Sequence, residues 1–220
     1  MGRKPPPAGA ALDLPQFVKA DVDRMADVCR KEVFSELRFL AEKLYRRNPG
    51  EWKKSGAASL EAALDHLMDP RLAWRYAELG DHAGIDAMQL ALREDFQGDR
   101  VLALMGGLGG MLHASFNEKT AFFMLDDLDP QKLYNSARNV EILVWRLSNA
   151  RHADGRLFLL SNEPAGADAP ANLSFEREFG KMIGQLDMLA LILADKMNRT
   201  LVKVVQSVAT AIFLPVGLVK

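Results

Sequence analysis

Apolar residues recur at intervals of three and four along much of the chain, the spacing that places side chains on one face of an α-helix. Residues 13–48 show this most clearly, because charged residues fill the intervening positions. The apolar positions in this stretch are Leu14, Val18, Val22, Met25, Cys29, Val33, Leu37, Leu40 and Leu44. They predict one long amphipathic helix. Asn48-Pro49-Gly50 should end it, since the residue before proline disfavours helix and glycine accepts the backbone angles of a cap.

Residues suited to helix caps predict where the other helices begin. Asp69-Pro70 and Asp129-Pro130 each combine an aspartate, which can accept hydrogen bonds from the first turn, with a proline that fits the first helical position. Ser59 and Ser174 are further candidate N-caps. The predicted helices after the first are residues 59–68, 69–79, 85–95, 101–112, 129–149 and 174–214, with Pro215 ending the last.

The apolar run 101–112 contains four glycines. It lacks the Gly-Lys-Ser/Thr ending of a phosphate-binding loop and the glycine spacing of a dinucleotide fold. On a helix, Gly106, Gly110 and Ala114 lie four residues apart and form a smooth stripe that lets another backbone approach closely. We expect this stripe to pack inside the core, with an oligomer interface or contact with lipid as the alternatives. Gly110→Ala should then destabilise the protein by roughly 1 to 3 kcal/mol.

Little of the chain is predicted to be β-structure. The short segments 120–125 and 156–161 could pair as one small ribbon, and the Pro-, Gly-, Ala- and Asp-rich stretch 162–172 should be an exposed loop that proteases cut first. The chain has 220 residues, 49% of them apolar, enough for one core. The sequence therefore predicts an all-α fold: an irregular multi-helix bundle or array of about seven or eight helices, forming a single domain over residues 13–220.

Residues 1–12 are predicted to be a flexible, proline-rich tether in front of that domain. Met1 to Pro7 is basic and lacks the apolar segment of a secretory signal peptide. Such a start suits either a natural tether or the remnant of a removed export or lipid-attachment signal. It slightly favours a periplasmic, membrane-tethered, lipoprotein-like setting in a bacterial envelope over the cytoplasm.

Composition narrows the classes of partner. The formal net charge is -1, so no strong field attracts phosphate backbones, and we expect no nucleic-acid partner. Cys29 is the only cysteine, which excludes an intrachain disulfide and multi-thiol zinc modules. Residues 204–219 carry no charge, but this run is too short and too often interrupted by polar residues to span a bilayer. We expect it to be a core helix closing the domain, with an apolar surface for a partner as the alternative.

Several polar groups are candidate binding residues. Asp81, His82 and Asp86 place a histidine among carboxylates, as a metal or general-base site could, but their spacing matches no ligand motif and better fits turns and caps. Neither a metal nor a cofactor is predicted, and His82→Ala or Asp86→Ala should leave the metal content unchanged. The acidic group at Asp126, Asp127 and Asp129 is expected to begin a helix. On that helix Tyr134, Asn135, Arg138 and Asn139 form a polar face that could line a ligand pocket or bond to another helix.

These observations favour a non-enzymatic interaction or scaffold protein that binds a protein partner or forms a homo-oligomer. The alternative is a small helical enzyme or ligand-binding protein, metal-dependent in one version, that uses Asp81, His82, Asp86 or the acidic group near Asp126. A third hypothesis is a membrane-active protein whose glycine-rich and C-terminal segments insert after a conformational change. No nucleophile motif supports acyl-transfer chemistry.

Overall fold

The predicted all-α class is confirmed. The computed structural model describes residues 14–119, 128–163, 165 and 170–217, and side chains from residue 21 onward. Its α-helices are α1 (Leu14–Arg47), α2 (Pro49–Lys54), α3 (Leu60–Leu67), α4 (Ile85–Leu90), α5 (Arg100–Ser115), α6 (Pro130–Asn149) and α7 (Ser174–Lys196). None of these helices is both long and apolar enough to cross a membrane.

Helix α5 lies at the centre of the array. Nearly all of its residues are buried, and it contacts α1, α4 and α6, while α7 packs against both α1 and α6. The buried apolar side chains form one connected core to which α1, α3, α5, α6 and α7 all contribute. The inner face predicted for α6 is buried throughout: Leu133, Ala137, Val140, Val144 and Leu147.

The glycines of α5 allow other parts of the chain to approach its backbone. A methyl group on Gly106 would lie 2.5 Å from the Tyr76 ring, and one on Gly109 would lie 2.1 Å from the Trp74 ring. A methyl group on Gly107 would lie 2.6 Å from the Gly84 carbonyl oxygen. The bare helix surface therefore accepts two aromatic side chains and a stretch of main chain.

This packing explains why residues 69–79 are not the helix that the sequence predicts. Asp69 accepts a hydrogen bond from the Arg71 amide at 2.9 Å, but only two 3-10 turns follow, at Pro70–Leu72 and Ala77–Leu79. Between them Ala73 and Trp74 have φ angles of 47° and 61°, outside the helical range. The chain reverses there so that Trp74 and Tyr76 can both reach the glycines.

Helix α4 also ends earlier than predicted, at Leu90 rather than at residue 95. The buried Arg100 side chain explains the difference. Its guanidinium donates to the carbonyl oxygens of Ala91, Arg93 and Phe96 at 2.7 to 2.8 Å. Those main-chain acceptors converge on one cation, which requires a non-helical loop.

The last helix is far shorter than the predicted 174–214. It ends at Lys196, and Asn198 then adopts a φ of 50°, so residues 201–217 are not the core helix expected of this stretch. The predicted N-cap is wrong as well. The cap position is Leu173, and the amides of Ser174 and Phe175 donate instead to the side-chain oxygens of Asn172 and Asn162.

Part of the predicted β-ribbon lies outside the described residues, as do the predicted tether and Asp126 and Asp127. Where residues are described, 151 pairs with 157 and 163 with 172 as isolated antiparallel bridges. Asp129 caps α6 as predicted, accepting from the Gln131 amide at 2.9 Å. The loop predicted at 162–172 is described only in part.

A buried carboxylate fixes the first turn of α5. Asp99 accepts hydrogen bonds from the Leu102 amide at 2.9 Å and from the Tyr45 hydroxyl at 3.0 Å. Glu51 accepts from the Arg100 amide at 2.8 Å. Burial disfavours the ionised form and raises the pKa of Asp99 above its ordinary value of 3.8.

Gly107→Ala should destabilise the protein by about 1 to 3 kcal/mol, because the new methyl group meets main-chain atoms that cannot rotate away. Gly180→Ala is the matched control on α7, since nothing lies within 4 Å of the added carbon; it should stabilise by up to about 1 kcal/mol. Urea unfolding measures both. Equal effects of the two substitutions would contradict the packing described for α5.

Asp99→Asn should shift the pH dependence of stability. The folded protein holds the Asp99 proton more tightly than the unfolded chain, so this group stabilises most at acidic pH. That contribution falls as the pH rises from the ordinary carboxyl range through the raised pKa. The unfolding free energy of the variant, relative to wild type, should therefore improve across this rise. A difference that is independent of pH, as expected for the exposed control Asp81→Asn, would count against the assignment.

Candidate functional site

Helix α6 carries a row of polar side chains that hold another part of the chain. Gln131, Asn135, Asn139 and Arg146 are separated by four, four and seven residues, and at about 100° per residue they lie on one side of the helix. We call this row the α6 ladder. It binds the main chain of residues 201–217, which we call the C-terminal segment.

Two amide side chains in the α6 ladder bind both the donor and the acceptor of one peptide unit. Asn139 donates to the Leu214 carbonyl oxygen at 2.8 Å and accepts from the Leu214 amide at 2.6 Å. Gln131 does the same with Val202, at 3.1 and 2.9 Å. Because these contacts use main-chain atoms, they recognise an extended chain rather than a particular side chain.

The other two members of the ladder bind carbonyl oxygens. Asn135 donates to Pro215 at 2.9 Å, and Arg146 donates to Ala211 at 2.8 Å. The Arg146 guanidinium also lies over the Phe213 ring, 4.6 Å from its centroid. Such a cation–π contact adds to the hydrogen bond because the guanidinium is half withdrawn from water.

These contacts show that the C-terminal segment runs out along α6 and returns. Val202 lies at the start of the helix, Ala211 near its end and Pro215 back in the middle. The chain reverses between Ser207 and Thr210, where the Thr210 amide donates to the Ser207 carbonyl at 3.0 Å. The side-chain amide of Gln206 joins the two arms by binding both main-chain groups of Ile212.

Most apolar side chains of the C-terminal segment face away from the protein. Val205 is 98% exposed, Ile212 72% and Val202 68%, whereas Ala211 and Val216 are buried. Main-chain hydrogen bonds and two small anchors therefore hold the segment, with little help from apolar burial. This is the apolar surface that the sequence left as the alternative to a core helix.

The four residues predicted on the polar face divide into two pairs. Asn135 and Asn139 belong to the α6 ladder. Arg138 forms ion pairs with Asp187 at 2.6 Å and with Glu141 at 3.1 Å, and it lies over the Tyr134 ring. Tyr134 and Arg138 line a 270 Å³ cavity beneath the outgoing arm of the segment.

A second cavity, of 410 Å³, lies where the returning arm ends. The structure places three of the predicted residues here, Asp86, Gly110 and Ala114, beside Val216 of the C-terminal segment. Gly106 instead lies beneath Tyr76. Asp81 and His82 are exposed and do not line this cavity.

Two further candidates from the sequence have structural surroundings. Within the described ranges, no group of three or more His, Cys, Asp or Glu side chains is arranged to hold a metal ion. Cys29 donates weakly to the Gln185 carbonyl at 3.5 Å, and burial raises the pKa of its thiol to about 12. A thiol in this state is a poor nucleophile.

Gln131, Arg146 and the whole C-terminal segment were missed as site residues. A signal was present, because Gln131, Asn135 and Asn139 repeat at four-residue spacing on an otherwise amphipathic helix. Three aligned amides that a core must cover require hydrogen-bond partners. What covers them could not be found locally, since Leu214 is 75 residues from Asn139.

No family model, curated protein or solved structure matches this chain.

Asn139→Ala should release the returning arm of the C-terminal segment. The substitution removes both hydrogen bonds to Leu214 from a fully buried position, at a cost of about 1 to 3 kcal/mol. Hydrogen exchange should accelerate at residues 211–217 and remain unchanged in α5. The control is Asn149→Ala on the same helix, which loses only a local bond to Trp145. Unchanged exchange in the Asn139 variant would show that the ladder does not hold the segment.

Proposed function

We propose that this chain is a non-enzymatic interaction protein whose α6 ladder is a surface for an extended polypeptide. One observation carries the proposal: Asn139 and Gln131 each satisfy both main-chain groups of a peptide unit. Recognition through the main chain is the means by which proteins hold extended segments of varied sequence. In the absence of a partner, the C-terminal segment occupies the surface.

The chemistry of the surface defines the segment that fits it. Ala211 and Val216 are the buried positions, so an occupant needs small or β-branched apolar residues there. Phe213 lies under Arg146, so an aromatic residue between the two anchors adds a contact. A partner segment, from another protein or from a second copy of this chain, would have these three features.

A partner must displace a segment that is already tethered. A flexible connection of a few residues gives the tethered segment an effective concentration in the millimolar range. The exposed side chains of Val202, Val205 and Ile212 offer that partner a first contact before the main-chain bonds exchange. An interaction protein built this way responds only to a concentrated or multivalent partner.

The same proposal includes a place in the cell, argued from sequence alone. The proline-rich residues 1–12 suit a tether to a bacterial membrane, which would hold the interaction surface in the periplasm as a lipoprotein-like module. Fractionation of the full-length gene product tests this part independently of the α6 ladder.

A second candidate function is ligand binding, the non-catalytic half of the alternative that the sequence raises. The 410 Å³ cavity that contains Asp86 favours it. The two functions are compatible, since the cavity lies at one end of the C-terminal segment.

The proposed interaction can be tested with a full-length variant whose own segment is weakened, Ala211→Asp combined with Val216→Asp. Both substitutions place a charge at a buried position, which should undock the segment. A fluorescent peptide of residues 199–217 should then bind this variant at least roughly tenfold more tightly than wild type, because the tethered competitor is gone. Fluorescence anisotropy measures both affinities.

Adding Asn139→Ala to the weakened variant should abolish peptide binding, whereas adding Asn149→Ala should leave it intact. Circular dichroism confirms that each variant retains its helices. Peptide binding that survives Asn139→Ala, or a peptide that binds no variant, would refute recognition by the α6 ladder.

A further inference from the structure

The 410 Å³ cavity at the end of the C-terminal segment has the dimensions of a small-molecule site. One wall is the face of α5 at Gly110, Met111 and Ala114. The loop of residues 73–75 and the loop of residues 83–86 form the sides. Val216 and Gly217 close the remaining side. Four separate parts of the chain thus converge on one space.

Unusual backbone conformations are concentrated around this cavity. In the described part of the chain, five residues other than glycine have positive φ. Four of them form two consecutive pairs, Ala73 with Trp74 and Asn117 with Glu118, at φ values between 47° and 61°. Ala73, Trp74 and Glu118 line the cavity. Such conformations are uncommon and persist only where the surroundings fix them, which is frequent at ligand sites.

Charges of both signs line the cavity without pairing with one another. Arg75 supplies a cation, and Asp86 and Glu118 supply carboxylates. None of these three side chains makes a hydrogen bond or an ion pair within the residues described. His113 also lines the cavity, and burial lowers the pKa of its imidazole, so it is neutral at neutral pH. The cavity therefore presents one cation and two anions to a ligand.

We propose that this cavity binds a small zwitterion with an apolar body, of the size and chemistry of a free aliphatic amino acid. Arg75 pairs with the ligand carboxylate, in the two-point geometry that a guanidinium offers. Asp86 and Glu118 pair with the ammonium group. Ile85, Met111 and Val216 contact the aliphatic body. This proposal does not rest on the function proposed for the α6 ladder, although Val216 contributes to both.

The test compares three probes that differ by one charge: L-leucine, L-leucinamide and N-acetyl-L-leucine. Isothermal titration on the full-length protein should show saturable binding of leucine with a dissociation constant of about 1 mM or tighter. Leucinamide lacks the anion and N-acetyl-leucine lacks the cation, so each should bind roughly tenfold more weakly.

Charge variants then assign each half of the ligand. Arg75→Gln should weaken leucine roughly tenfold and erase the preference for leucine over leucinamide. Asp86→Asn combined with Glu118→Gln should erase the preference for leucine over N-acetyl-leucine. Asp81→Asn is the matched control, an exposed aspartate in the adjoining turn that does not line the cavity, and it should bind all three probes as wild type does.

Two results would overturn the proposal. One is the absence of saturable leucine binding up to about 10 mM. The other is binding that is insensitive to Arg75→Gln and to the double carboxylate variant while the protein retains its wild-type melting temperature. Because all of these variants leave the α6 ladder intact, either result leaves the peptide-binding proposal to its own test.

Discussion

Contact between the bare face of α5 and residues 74–88 positions most of this structure. The glycines of α5 leave no side chain to hold a neighbour at ordinary helix-packing distance, so Trp74, Tyr76 and the main chain at Gly84 reach the helix backbone. A regular helix over residues 69–79 could not deliver both aromatic rings to that face. The chain breaks into two short turns instead, and the break leaves Trp74 and Arg75 as walls of the 410 Å³ cavity.

The conformation of the C-terminal segment follows from the polar side of α6 in a similar way. Asn139 is fully buried, and its amide needs one donor and one acceptor. A packed helix cannot supply them from its main chain, because its own N–H and C=O groups already pair with each other. Only a non-helical chain has both groups free. Leu214 provides them, so an apolar sequence that could form a helix lies extended over α6.

The sequence predicted those features that short-range chemistry determines. The caps at Ser59 and Asp129, the end of α1 and the buried face of α6 all follow from local spacing, and all are observed. The failures at 69–79 and at 197–214 share one physical cause. In each case a partner distant in the chain outweighs helix propensity: the glycines of α5 in the first, the amides of α6 in the second. Asn135, Asn139 and Asp86 could be selected as candidates, but their partners could not.

The two proposed sites share a structural element, and this has a thermodynamic consequence. Val216 is a wall of the cavity and also an anchor of the returning arm, one residue beyond Pro215 on the α6 ladder. A ligand that contacts Val216 binds the docked segment better than the displaced one, so it must also raise the free energy of displacing that segment. By reciprocity, a partner peptide that displaces the segment must weaken the ligand by the same factor. An interaction surface and a small-molecule cavity arranged in this way would make partner binding dependent on the concentration of the ligand.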